Sequence, residues 1–172
     1  MDGRRSVLVL GGARSGKSSY AEDRCAGSGG ELIYVATAEA HDTEMSDRIR
    51  LHQERRGPGW RTVEAPLDLV RVLENQAGAG RVVLVDCITL WLSNMMGKSM
   101  NVAAELTRLA DALPSLAGTV VLVSNEVGMG IVPDNPLARA FRDEAGLANQ
   151  MLAAACDEVV FVAAGLPMTL KG

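Results

Sequence analysis

Eight consecutive residues carry the plainest chemistry in the chain: Gly11, Gly12, Ala13, Arg14, Ser15, Gly16, Lys17 and Ser18. They fit the pattern G-x-x-x-x-G-K-[S/T], which cradles a polyphosphate wherever it joins a strand to a helix. The glycines let successive backbone N–H groups turn inward around the phosphates, and the helix that follows adds its positive end. Lys17 then reaches the β- and γ-phosphates, and the Ser18 hydroxyl is a ligand for Mg²⁺.

Other chemistry-bearing residues are open to two readings each. Asp86 ends the apolar run Val82-Val83-Leu84-Val85; an acid there holds Mg²⁺ through water beside such a loop, or else caps the next segment. The chain has two histidines, His41 and His52. His52 falls on one helical face with Met45 and Ile49 in the segment 43–55, with Arg48 and Arg55 a turn away on either side. Spacing alone favours a packed core histidine over a catalyst, and His41, beside Asp42, reads as a surface residue. The segment from Asn125 to Pro136 is either an Ω-loop packed by its own valine and isoleucine or a lid over an acceptor substrate. Arg139 and Arg142, three apart, are either an anion clamp or solvated helix charges. No N-K-x-D motif for reading guanine is present, which disfavours a switch GTPase.

These residues need a scaffold, and the hydrophobic pattern supplies one. Apolar runs recur at Ser6–Leu10, Leu32–Ala36, Val82–Val85, Val120–Ser124 and Val159–Val162. They are rich in Val, Ile and Leu and hardly alternate, as strands buried on both faces of a parallel sheet do. Trp60–Val63 and Met168–Lys171 are candidates for extra strands. Between the runs lie helical stripes, one at Val102, Leu106, Leu109 and Leu113, and a looser one at Leu137, Phe141, Ala148, Met151 and Leu152. Strands alternating with helices predict an α/β fold: an open, mostly parallel sheet with helices on both faces. Ligands bind such sheets beyond the carboxyl ends of their strands, where the loop at 11–18, Asp86 and Asn125 all fall.

Composition narrows the function. At 172 residues the chain fits one domain, 1–172, and a chain this size buries roughly 70% of its unfolded surface without disulfides or a structural metal. Its 17 basic and 21 acidic residues give a net charge of −4, with no basic run to track a phosphate backbone, so nucleic acid is not an expected partner. Cys25, Cys87 and Cys156 are odd in number and far apart, which argues for a reducing compartment and against a zinc site. No apolar stretch approaches the ~20 residues of a membrane span. The expected location is the cytoplasm.

Taken together, these residues resemble the bifunctional adenosylcobinamide kinase/adenosylcobinamide-phosphate guanylyltransferases of cobalamin biosynthesis, over essentially the whole chain. The resemblance rests on residues 11–18, on Tyr34-Val35-Ala36-Thr37-Ala38, and on Glu44-Met45, Arg48-Ile49 and His52. It continues through Trp60-Arg61-Thr62-Val63-Glu64, Asp86-Cys87-Ile88-Thr89, the Asn125–Pro133 string, Asn135-Pro136-Leu137-Ala138-Arg139 and Phe141-Arg142-Asp143. Of these, the Asn-Glu-Val-Gly-Met-Gly-Ile-Val-Pro string is the most specific.

The resemblance implies a RecA-like P-loop NTPase fold, a homotrimer, and two reactions. A nucleoside triphosphate, ATP or GTP, phosphorylates the amino-propanol hydroxyl of adenosylcobinamide; GMP from GTP is then transferred onto that phosphate, giving adenosylcobinamide-GDP. The GMP passes through a covalent histidine intermediate, which by this resemblance is His52. A neutral imidazole is a nucleophile near pH 7, and its P–N bond is reactive enough to hand GMP on. By the same resemblance, guanine-nucleotide contacts fall on the phosphate loop, on Ala36, Thr37 and Ala38, on Gln53, Glu54, Arg55 and Arg56, on Glu64 and on Asp86, with Mg²⁺ at Ser18 and Asp86. Residues 53–56 match in placement more than in type. Two departures stand out. Leu51 occupies a position where some relatives carry a second histidine, and Asp86 one where some carry glutamate.

Two rival readings make different predictions. A kinase with phosphoryl transfer alone leaves His52 structural and forms no GMP-protein. A nucleotide-gated regulatory module hydrolyses slowly, has no small-molecule acceptor, and uses the 125–136 loop against a partner protein.

Overall fold

A computed structural model of the chain describes residues 5–39 and 57–172. His41, His52, Gln53, Glu54, Arg55 and Arg56, and the helical segment expected over 43–55, lie outside the described residues. The described strands are β1 (Arg5–Gly11), β2 (Glu31–Ala36), β3 (Trp60–Glu64), β4 (Arg81–Asp86), β5 (Thr119–Asn125), β6 (Glu158–Ala163) and β7 (Leu166–Lys171). The helices are α1 (Lys17–Ala26), α2 (Leu69–Gln76), α3 (Ile88–Gly97), α4 (Val102–Ala112) and α5 (Pro136–Ala155).

The strands form one sheet in the order β3-β2-β4-β5-β1-β6-β7. All neighbours are parallel except β6 and β7, which form an antiparallel hairpin at the edge. Each of the five apolar runs lies in a strand, and both candidate extra strands are real, at the two edges.

The runs fail to alternate because both faces of the sheet are covered. On one face Leu8, Ile33, Val83 and Leu122 pack against Leu73 of α2, Trp91 of α3, Leu109 of α4 and Leu152 of α5. On the other, Val7, Val9, Leu84, Val121 and Val160 pack against Ala21 and Cys25 of α1. Burial of a whole Val or Leu side chain contributes about 1.5–3 kcal/mol, so a strand buried on both sides is selected for apolar residues at every position. The α4 stripe at Val102, Leu106, Leu109 and Leu113 is buried as its spacing requires. Glu158, itself buried, receives both guanidinium nitrogens of Arg24 at 2.9 and 2.6 Å and a further bond from Arg5, which ties α1 and β1 to β6.

The α5 stripe needs one correction. Phe141, Ala148, Met151 and Leu152 pack against the core, but Leu137 is 69% exposed. Twenty residues of helix are about 30 Å long, whereas strands of five to seven residues span roughly 17–24 Å. The first turn of α5 therefore overshoots the sheet. Leu137 and Phe141 instead wall a surface groove of about 520 Å³ with Ser93 and Met96 of α3.

Candidate nucleotide site

Parallel register brings the carboxyl ends of the strands into one line. Glu64 pairs with Ala36, Ala36 with Asp86, Asp86 with Val123, and Asn125 with Gly11. The sequence-predicted residues Glu64, Ala36 and Asp86 thus end three adjacent strands, and the phosphate loop begins two strands from Asp86. Strand spacing of ~4.8 Å sets that offset at about 10 Å, a distance that a triphosphate and its cation span.

The loop from Gly11 to Ser18 runs from β1 into α1 without a side-chain cap; its first helical N–H groups have no helical carbonyl behind them. No acidic residue stands in the first turn of α1 to compete for that positive end. Gly16 has φ of 92°, a left-handed conformation that excludes most side chains, and a Cβ there would stand 3.1 Å from the Cα of Gly165. At Gly11 a Cβ would meet Ser15 Oγ and lie 2.6 Å from the carbonyl oxygen of Val162. The turn between β6 and β7 grips the loop directly, with the Gly165 N–H donating to Ser15 O at 2.8 Å. Ser15 N–H donates to Gly12 O at 3.3 Å, and Ser15 Oγ accepts from the Lys17 N–H at 3.4 Å. Lys17 is 9% exposed, and its ammonium donates to Gly12 O at 3.3 Å. An ammonium held against the loop backbone in this way is a positioned positive charge for a phosphate. Ala13 and Arg14 are exposed on the outside of the loop, and Ser18 is half-buried on the first turn of α1.

Beside Asp86 lies a polar cluster that pattern reading did not find. Thr37 is fully buried; its Oγ1 donates to Cys87 O and accepts from Cys87 N–H, both at 2.8 Å. Thr37 is one of the residues expected to contact the nucleotide; its hydroxyl is committed to the backbone after Asp86, at the cis Asp86–Cys87 peptide. Asn94 Nδ2 donates to Thr37 O at 2.7 Å and to Pro66 O at 3.0 Å, pinning the ends of β2 and β3 to α3. Thr89 Oγ1 accepts from Asn125 Nδ2 at 2.7 Å and lies 3.2 Å from Cys87 Sγ. Burial pushes the Cys87 thiol up to about 11, the Asp86 charge adds to that, and Thr89, the Leu90 N–H and Lys17 pull the other way. Asp86 is half-buried and Glu64 exposed, while Ala36 and Ala38 are half-buried. Asn94 and Asn149 left no sequence signal, because a lone polar residue in a helix reads as solvated until its tertiary partner is known.

The 125–136 segment is not an Ω-loop packed on itself: Ile131 is 99% exposed, and Met129 and Val132 also face solvent. Its ends are anchored, by Glu126 N–H to Gly11 O at 2.9 Å and by Arg139 Nη1, which donates to Pro133 O at 2.8 Å and Asp134 O at 2.7 Å. Arg139 thus braces the loop rather than standing ready as an anion clamp, and Arg142 pairs with Asp143 at 3.0 Å.

Strand, phosphate loop and helix on a mostly parallel sheet, with an acid ending a nearby strand, define a P-loop nucleotide-binding protein of the α/β class. Solved structures agree on that fold: the RadB recombinase superposes with a TM-score of 0.55 at 19% identity, covering 91% of this chain and 73% of that one. Residues 7–170 match the family described as cobinamide kinase / cobinamide phosphate guanyltransferase, and the chain belongs to it. It is 49% identical over 167 residues to a bifunctional adenosylcobalamin biosynthesis protein of Pseudomonas aeruginosa, covering 96% of each chain. The Escherichia coli protein of the same description is 39% identical over 180 residues, covering 96% of this chain and 99% of that one.

Proposed function

We propose that this enzyme phosphorylates adenosylcobinamide with ATP or GTP and then transfers GMP from GTP to the resulting phosphate, through a GMP adduct of His52. The observation that carries the reading is the phosphate loop, with Lys17 buried inside it, in a chain that matches the family from residue 7 to 170. In the first reaction the acceptor hydroxyl oxygen bonds to the γ-phosphorus while the bond to the β,γ-bridging oxygen breaks. Lys17 and the loop N–H groups of residues 12–18 bind the charge that moves onto the leaving diphosphate. In the second, a His52 ring nitrogen bonds to the α-phosphorus of GTP and pyrophosphate leaves. A phosphate oxygen of the acceptor then displaces the histidine, giving adenosylcobinamide-GDP and restoring the imidazole.

The residues present suit Mg²⁺ as the accompanying cation. Ser18 and Asp86 offer hard oxygen donors, and no group of three or more His, Cys, Asp or Glu forms a metal cage among the described residues. Mg²⁺ takes one or two protein oxygens, several waters and phosphate oxygens, and needs no such cage. When bound, the cation neutralises charge on the phosphates. Ala36, Thr37, Ala38, Glu64 and residues 53–56 are assigned to the nucleotide, and the Thr37 hydroxyl in addition holds the backbone after Asp86.

The reading places the enzyme in the cytoplasm; no described helix is long and apolar enough to cross a membrane. The assembly is a homotrimer, and a bare edge supports association: β7 exposes Leu166, Met168 and Leu170 along one side of an edge strand. Light scattering at three times the chain mass is the expected result.

The decisive experiment is incubation with α-labelled GTP and Mg²⁺, then denaturation and peptide mapping. One GMP is expected on His52, in a linkage labile to acid and stable to base. His52→Ala, and His52→Asn as the control that disturbs packing less, are expected still to make adenosylcobinamide phosphate but neither the GMP-protein nor adenosylcobinamide-GDP. A label on His41 or a serine, or full guanylyltransferase activity in both variants, refutes the histidine assignment.

A further inference from the structure

The end of β5 holds a side chain that neither reaction above uses. Because β5 runs between β1 and β4, its last residue, Asn125, stands between the phosphate loop and the Asp86 end of β4. Asn125 is in register with Gly11, and Asp86 is level with Val123, so Asn125 projects two residues further toward the ligand edge than the acid.

The position is fixed from several sides. Asn125 Nδ2 donates to Thr89 Oγ1 at 2.7 Å and lies 3.8 Å from Cys87 Sγ. The Asn125 main-chain carbonyl accepts from Asn149 Nδ2 at 3.3 Å, and Asn149 Oδ1 accepts from Ser124 Oγ at 2.7 Å. Ser124 and Asn149 are both buried. A primary amide has one oxygen with two lone pairs besides its two N–H donors. With the nitrogen committed to Thr89, Asn125 Oδ1 has no hydrogen-bond donor among the described residues, and the residue is only half-buried. An oriented acceptor at the edge where the γ-phosphate must lie suits a group that brings a proton there.

The geometry points to Asn125 as a catalytic residue of the phosphoryl-transfer step: its Oδ1 accepts the hydrogen bond of the acceptor hydroxyl and sets that oxygen's approach to the γ-phosphorus. This rests on the kinase reading above. An amide oxygen is too weak a base to take the proton. The O–P bond forms, the bond to the bridging oxygen breaks with its electron pair on the diphosphate, and the hydroxyl proton leaves on a phosphoryl oxygen. The gain is orientation. Thr89 is a positioning residue, acting through the Asn125 amide. The histidine-directed step attacks the α-phosphorus with no hydroxyl nucleophile and makes no use of this contact.

The test compares two measurements on the full chain: phosphoryl transfer from γ-labelled ATP to adenosylcobinamide, and self-guanylylation by α-labelled GTP without acceptor. Asn125→Ala is expected to lower kcat of phosphoryl transfer roughly 10- to 100-fold with the KM for ATP within about 3-fold. The loss should exceed any loss of self-guanylylation at least about tenfold. Thr89→Val, which frees the amide and keeps Oδ1, is expected to show a smaller drop in the same kcat, largely rescued in Thr89→Ser. Unchanged kcat in Asn125→Ala, a rise in ATP KM without a fall in kcat, or an equal loss of both reactions overturns the assignment. Should Asn125→Ala fail to fold, the Thr89 pair decides, and equal rates in Val and Ser overturn it. An unsubstituted protein that transfers no phosphoryl group refutes the kinase reading instead.

Discussion

Replacing Thr37 with valine removes one oxygen and almost no volume, yet it strikes the backbone that carries Asp86. The hydroxyl makes two bonds of 2.8 Å, to the N–H and to the C=O of Cys87, in a site with no solvent exposure. The carbonyl keeps a second partner, the Trp91 N–H at 3.2 Å, so it loses one bond of two. The Cys87 N–H has no other acceptor among the described residues and is left buried and unpaired. An orphaned buried N–H costs about 1–3 kcal/mol and a lost but compensated bond about 0.5–1.5, giving about 3 kcal/mol for Thr37→Val. In a domain of this size each kcal/mol lowers Tm by about 2–4 °C, so thermal unfolding followed by circular dichroism should show a drop of about 6–12 °C. Thr37→Ser keeps both bonds and loses one methyl, for about 1 kcal/mol. Phosphoryl transfer should follow the same order, because Asp86 is carried on the released peptide. A valine variant that melts with the unsubstituted protein, or a serine variant that melts with the valine one, refutes the claim that the hydroxyl holds this turn.

Lys17→Ala removes the charge at the β- and γ-phosphates and should depress phosphoryl transfer by orders of magnitude in a steady-state assay; normal self-guanylylation by the same variant would mean that the two reactions use separate nucleotide sites. The thiols give a test independent of activity. Burial pushes Cys25 and Cys156 up to about 12 and Cys87 up to about 11, so at pH 8 the Cys87 thiolate fraction is about one in a thousand, and a disulfide reagent should label three thiols only after denaturation. These folded values lie above the unfolded value of 9.0, so stability is full below pH 9 and falls as pH rises toward 11–12, by about 1.4 kcal/mol per thiol per pH unit; urea midpoints at pH 8 and 10 measure it.

What the sequence made legible was whatever depends on the chain's own local pattern. Val7 and Leu8 face opposite sides of the sheet and are both buried, so the run they belong to announces a central strand without knowledge of its neighbours. The loop at 11–18 is equally local, since its backbone path is set by its own glycines. Thr37, Asn94 and Asn149 were illegible as a cluster because their partners lie 24 to 57 positions away. Leu137 misled for a related reason: its spacing is right for the α5 stripe, but spacing does not say where the sheet ends.

The same cluster explains how strands far apart in sequence present one site. Asp86 and the phosphate loop sit on strands separated by β5. The polar chain Thr37–Cys87–Thr89–Asn125 crosses that gap, from β2 through the end of β4 to β5, and Asn125 is in register with Gly11. Hydrogen bonds inside a low-dielectric layer are costly to leave half-made; a shift at one strand end therefore strains the next link. Asp86 and the phosphate loop are thereby held at a fixed separation by the side chains that link the strand ends between them. Thr37→Val and Thr89→Val should accordingly be non-additive in a double-mutant cycle on kcat, whereas either combined with Glu158→Gln, which loosens α1 on the far side of β1, should be additive.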